Sequence, residues 1–237
     1  MLQWFKRSLA SFLGDKKDIV KQWIFIKKLN DKANKELDST RSELLRGNFR
    51  EILHIIYNSK LREYPLWLDF GTLLGYYREK NFINHDLDMD FGIIISDYED
   101  FLEKESYLLE KGFVRSKEFY YNNNLVEISY NYKGLNVDFI VYSLVDNKVR
   151  TDTIYFMINA LGKPTRYEVY HYEIPFLRLE ECDFKNEKVK IPSNTKEYLS
   201  YLYGEDFEIP NTNYNWKENP IYKKKSSEFA KVNLILS

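Results

Sequence analysis

Four aspartates carry the chemistry that this sequence offers. Asp86, Asp88 and Asp90 alternate with Leu87, Met89 and Phe91. On an extended strand alternate side chains share a face, so the carboxylates point one way and the apolar set the other. Cα atoms two residues apart lie roughly 6.5–7 Å from each other, close enough for two carboxylates to converge on a cation. All-oxygen ligands suit Mg²⁺ or Mn²⁺ better than zinc. Three aspartates are poor strand formers, and like charges this close disfavour one another's ionisation unless a cation sits between them. That cost argues for a working site over an exposed polar edge.

Asp138 belongs to the same argument. In the run 135–141 the apolar residues Leu135, Val137, Phe139 and Val141 share a face, and Asp138 projects from the other. If the two strands are neighbours, Asp138 completes a three-carboxylate site. A second feature lies upstream, where Gly71-Thr72 follows a short apolar run. The first N–H groups of a helix have no partner inside it and favour phosphate. Gly71 allows close backbone approach, and Thr72 adds a hydroxyl. Arg78, near the end of that helix, could clamp a phosphate through two parallel donors. His85 adjoins the acidic run, where a hydrogen-bonding role is expected over a ligand role; His54 and His171 join no cluster.

The elements needed to position these groups follow from periodicity and turn residues. Residues 1–63 read as helical, with Leu44, Leu45, Phe49, Ile52, Leu53 and Ile56 forming one apolar stripe. Pro65 ends that region. A strand is expected over 66–70, a helix from Gly71-Thr72 to about Glu79, and a strand over about 87–95. A helix capped by Asp97 follows around 98–111, stopped by Gly112. Further strands are expected over 113–121, 126–132 and 135–142, the last two joined by a Lys133-Gly134 turn. Beyond Thr151 the pattern predicts a short helix near 154–161 and strands around 167–172 and 189–191. A helix over 196–202 follows, capped by Asn194 and Glu197, and the tail after Pro220 reads as poorly ordered. The domain division is a helical extension at 1–63, a catalytic domain at 64–210 and a tail at 211–237.

Composition narrows the function classes. The chain has 237 residues, 44% hydrophobic and 30% charged, with a net charge of −1. This suits one globular domain with a helical appendage and lacks the basic excess of a nucleic-acid binder. No apolar run reaches membrane-spanning length. One cysteine, Cys182, excludes an internal disulfide, so the expected compartment is the cytoplasm. Aromatic residues make up 17% of the chain, which fits strand-forming preference or, more pointedly, platforms for sugar rings. Between Lys16 and Lys35 seven lysines face two aspartates. Such a basic amphipathic arm at 1–35 fits a helix packed on its own domain or on a partner, or peripheral contact with the inner face of the cytoplasmic membrane.

The motifs together resemble the LicD–fukutin family of phosphotransferases. The first block is Gly71-Thr72-Leu73-Leu74-Gly75-Tyr76-Tyr77-Arg78, then Phe82-Ile83 and Asp86-Leu87-Asp88-Met89-Asp90. The second is Ile191-Pro192-Ser193-Asn194, Tyr198-Leu199 and Tyr203-Gly204-Glu205-Asp206-Phe207. The resemblance spans about 66–210. It departs at His85, where the family often has Trp, and at Leu87, where it often has a second consecutive aspartate.

The resemblance implies an α+β, nucleotidyltransferase-like mixed β-sheet flanked by helices, with the N-terminal helical extension outside the recognisable blocks. It implies transfer of a phospho-alcohol (phosphocholine, glycerol phosphate or ribitol phosphate) from a CDP-activated donor to a hydroxyl of a cell-surface glycan or glycolipid, releasing CMP. Asp88, Asp90 and Asp138 would hold Mg²⁺ or Mn²⁺ and act with Arg78 in catalysis, with Asp138 either sharing the metal or accepting the hydroxyl proton. Gly71, Thr72 and Asp86 would sit at the donor. Transfer of a nucleoside monophosphate from an NTP, or a non-catalytic role in a glycan-assembly complex, are the alternatives.

Overall fold

The computed structural model describes residues 39–235, apart from Arg41 and residues 84–85, 159–163, 212–213 and 226–229. The chain divides into two compact units, Met1–Glu43 and Leu44–Ser237. Of the first, residues 39, 40, 42 and 43 are described, and all are helical. The basic arm at 1–35 and His85 lie outside the described residues.

In the second unit, helix α1 (residues 44–57) buries the expected stripe at Leu45, Phe49, Ile52, Leu53 and Ile56. A 3₁₀ turn at Lys60–Glu63 leads into β1 (Leu66–Leu68). Then come α2 (Phe70–Glu79), β2 (Asp88–Ile93), α3 (Tyr98–Glu110), β3 (Val114–Tyr121), β4 (Asn124–Tyr132) and β5 (Leu135–Val141). After them run β6 (Ser143–Val145), β7 (Lys148–Ile158), β8 (Pro164–Pro175), β9 (Leu179–Phe184), β10 (Glu187–Pro192), α4 (Thr195–Tyr203), β11 (Lys223–Lys225) and β12 (Ala230–Leu234). The unit is α+β.

The main sheet has the order β1-β2-β5-β4-β3-β12, with β2 and β5 parallel and the other neighbours antiparallel. A second sheet runs β11-β8-β7-β6, and β9 pairs with β10. Met89, Phe91, Val137, Phe139, Ile128 and Tyr130 are buried on one face of the main sheet. Phe91 stacks on Phe139 at 5.4 Å and meets Tyr57 of α1 at 6.3 Å. Burial of these rings, each worth about 2–3 kcal/mol, fixes which face of β2 and β5 turns away from the core. That outward face carries the acids. Among the described residues no helix is long and apolar enough to cross a membrane.

Several expectations need correction. Residues 154–158, read as the start of a helix, belong to β7. They pair with β8 in a long hairpin, Ile154 opposite Val169 and Phe156 opposite Tyr167. Ladder bonds and cross-strand packing outweigh the local helical preference of a short apolar run. The tail is built into both sheets, β11 against β8 and β12 against β3. A lysine-rich edge strand such as β11 also resists pairing with other chains. The first strand ends at Leu68, and Asp69 caps α2 through Phe70 N at 2.9 Å. Asn194 precedes α4 without capping it by a side-chain bond; its amide donates to Glu197 Oε2 at 3.0 Å and to the Pro175 carbonyl at 3.0 Å.

Candidate active site

The parallel pairing of β2 with β5 sets Asp90 opposite Asp138 and Asp88 opposite Asn136. Asp88, Asp90 and Asp138 each offer a carboxylate oxygen within 4.8 Å of the others. Asp138 Oδ1 is buried and has no hydrogen-bond partner among the described residues. A buried carboxylate oxygen without a donor is costly, and a hard divalent cation is the partner that an all-oxygen set suits. The donor set therefore fits Mg²⁺ or Mn²⁺.

The electrostatics say the same. Burial, reinforced first by Asp88 and then by Asp138, Asp86 and Asp69, lifts the Asp90 carboxyl well above its ordinary range. Burial and the Asp88 charge lift Asp138 to about 6, while Ser129 and Lys117 pull it back. Burial and Asp88 lift Asp86 to about 7. Protonation or a bound cation relieves such a cluster.

Asp86 reaches the site through Gly71. A Cβ built on Gly71 would stand 2.5 Å from Asp86 Oδ2, so the missing side chain is what admits this carboxylate to the head of α2. Phe70, the first residue of α2, has φ +38°, a left-handed conformation that non-glycine residues rarely adopt. Thr72 is buried, and its hydroxyl accepts from Asp90 N at 2.9 Å. It ties the head of α2 to the acidic strand. Asp69 is fully buried and accepts from Tyr142 Oη at 2.7 Å and Tyr198 Oη at 2.9 Å, and burial raises it to about 6. It braces the α2 junction against Tyr142, the residue that follows β5, and against α4.

Two clefts meet at the acids. The first, about 460 Å³, is lined by Asp86, Asp88, Asp90, Asp138 and Gly71, with Glu127, Thr153 and six aromatic side chains. The second, about 960 Å³, holds Arg78 at the side of Leu74, Ile83, Phe207 and Ile209. Gly71, Asp86, Tyr203 and Tyr214 line both. The structure thus brings together Gly71, Asp86, Asp88, Asp90 and Asp138, and sets Arg78 in the adjoining cleft. Away from both, His54 pairs with Glu187 at 2.7 Å and His171 with Asp152 at 3.2 Å.

Glu127 escaped the sequence reading. On β4, Glu127 pairs with Ile140 and Ser129 with Asp138, so Glu127 shares the acidic face of the sheet. It accepts from Ser129 Oγ at 3.3 Å, and burial, then the Asp138 charge, raises it to about 8. Its signal was present: an acid between Val126 and Ile128 in a strand pattern, the criterion that singled out Asp138.

Comparison with known proteins fixes the class. Residues 63–194 match the family described as LicD/FKTN/FKRP, nucleotidyltransferase domain, and the chain belongs to that family. Among curated proteins it is similar to the human "Ribitol-5-phosphate transferase FKTN", 30% identical over 161 residues, and equally to that of Macaca fascicularis. The mouse counterpart is 28% identical over 165 residues. Each match covers 66% of this chain and 32% of the relative, so the chain spans about a third of the length of these proteins.

Proposed function

We propose that the chain is a metal-dependent phosphotransferase with a nucleotidyltransferase-like catalytic domain at about 64–210. It would move a phospho-alcohol from a CDP-activated donor to a glycan hydroxyl and release CMP. The observation that carries this reading is the convergence of Asp88, Asp90 and Asp138 within 4.8 Å beside the head of α2. The similarity to ribitol-5-phosphate transferases favours ribitol phosphate as the transferred group.

Asp88, Asp90 and Asp138 would hold Mg²⁺ or Mn²⁺, which supplies charge neutralisation to a diphosphate and its leaving group. The first N–H groups of α2, opened by Gly71, and the Arg78 guanidinium suit the donor phosphates. The acceptor oxygen attacks the β-phosphorus in line: a new P–O bond forms as the bond to the CMP phosphate oxygen breaks. With three aspartates committed to the cation, Asp86 and Glu127 are the carboxylates left lining the cleft; Asp86 sits against Gly71 at the donor end, so Glu127 would take the hydroxyl proton. Phosphoryl transfer of this kind depends on positioning and charge, so no covalent nucleophile is required.

Phosphorus NMR tests the reading. With Mg²⁺ and a glycan acceptor, CDP-ribitol, CDP-glycerol or CDP-choline should yield CMP. Pyrophosphate from an NTP with no CMP from any CDP-alcohol would convert the reading to nucleotidyl transfer. Inertness toward both would mark a binding module.

A further inference from the structure

We infer that Tyr172, Trp216 and Tyr222 form a platform for the pyranose ring of the acceptor, on the side of the acids away from Arg78. The inference rests on the phosphotransferase reading and adds to it where the sugar lies.

All three side chains line the acidic cleft, and none lines the adjoining cleft that holds Arg78. Their rings form a continuous wall: Tyr222 lies 4.9 Å from Tyr172 and 5.1 Å from Trp216 by ring centroids. Phe70 buttresses Tyr172 edge-on at 6.1 Å, and Tyr170 backs Trp216 at 5.0 Å. Tyr172 and Tyr222 are buried and back the wall, while Trp216 is half-exposed, with the Lys217 ammonium 5.4 Å from its ring centroid, and is the ring left to meet a ligand. Trp216 and Tyr222 follow the stretch 63–194 matched to the family, so family membership by itself assigns them nothing.

The chemistry of the cleft selects the ligand. A pyranose presents C–H faces that pack on aromatic rings and hydroxyl edges that need polar partners. Here the aromatic wall stands beside Glu127 and Thr153, which can meet those hydroxyls. In-line displacement requires the attacking hydroxyl and the leaving CMP on opposite sides of the phosphorus. With Arg78 and the apolar cleft on one side of the acids, the aromatic wall is left for the acceptor.

Saturation-transfer NMR on the full chain, with methyl glycosides of galactose, glucose and N-acetylgalactosamine as one probe set and CMP with Mg²⁺ as the other, tests this. Wild type should give signal from at least one glycoside and from CMP. Trp216→Leu, which keeps apolar bulk, should weaken the glycoside response about tenfold and leave CMP unchanged, the loss expected when an aromatic face is removed. Trp216→Phe should retain most of it, and this second variant keeps the test open if the first unfolds. Silence from every glycoside on wild type, a glycoside signal indifferent to Trp216→Leu, or loss of the CMP signal instead would each overturn the platform. Failure of the phosphotransferase reading looks different: no CMP release from any CDP-alcohol, with glycoside binding intact.

Discussion

Asp90 and Asp138 are direct partners across the parallel β2–β5 ladder, which turns residues far apart in sequence into one acidic face. The neighbouring register extends that face, Asp138 facing Ser129 on β4 and Ser129 facing Lys117 on β3. Because the opposite faces of β2 and β5 are buried at Met89, Phe91, Val137 and Phe139, the strands cannot rotate to separate the acids without exposing the core.

Removing one of these charges should have opposite effects on activity and on stability. Asp138→Asn and Asp90→Asn are expected to lower CMP release by roughly a hundredfold or more, since charge neutralisation at the diphosphate is lost. In EDTA the same variants should melt at or above the wild-type temperature, because a like charge leaves a buried cluster. Calorimetric melts beside turnover assays check both; a large destabilisation without metal would count against the electrostatic account.

The raised carboxylates also set a pH dependence. Asp69 and Asp138 stand at about 6, Asp86 at about 7 and Glu127 at about 8, against about 4 for carboxylates in an unfolded chain. Between these values the folded chain holds protons that the unfolded chain has released, so stability falls as pH rises. The contribution of these groups is complete below about pH 4 and is lost through pH 6–8. Melting in EDTA should therefore drop between pH 5.5 and 8, with a shallower drop in Asp138→Asn. Added Mg²⁺ or Mn²⁺ should raise the melting temperature more at pH 8 than at pH 5.5.

Gly71 supplies a steric test. Gly71→Ala places a methyl 2.5 Å from Asp86 Oδ2, so the carboxylate must move out of the cleft. The expected cost is about 1–3 kcal/mol by overpacking, together with reduced turnover. In an Asp86→Ala background the stability cost of Gly71→Ala should largely disappear. Urea titrations of the four chains measure the coupling; additive costs would mean that Asp86 is not what Gly71 accommodates.

Thr72 supplies a structural one. Its hydroxyl accepts from Asp90 N, so Thr72→Val leaves a strand amide without that partner. A loss of about 1 kcal/mol is expected, with Thr72→Ser retaining most of the stability. Denaturant curves check it, and equal losses in both variants would point to packing instead.

Much of this site was legible in sequence because strand alternation is a local signal. Asp86, Asp88, Asp90 and Asp138 stood out as acids whose neighbours were plainly core residues. Glu127 was legible in principle: the Lys133-Gly134 turn pairs Tyr132 with Leu135, and counting back places Glu127 beside Ile140 on the acidic face. The helix expected near 154–161 failed because β7 takes its conformation from β8, whose partner residues lie 6 to 15 positions further along the chain, from Ile158 with Pro164 to Ile154 with Val169. The aromatic wall was hidden for a similar reason. Trp216 and Tyr222 belong to a segment whose place depends on tertiary packing, including the pairing of β11 with β8, and no local periodicity announces that.

The most direct test of the central claim is electron paramagnetic resonance of Mn²⁺ titrated into the chain with CMP present. The account predicts a bound-ion signal for wild type that is lost in both Asp90→Asn and Asp138→Asn while the folded state persists. Failure of wild type to take up Mn²⁺, or uptake unchanged in both variants, would contradict it.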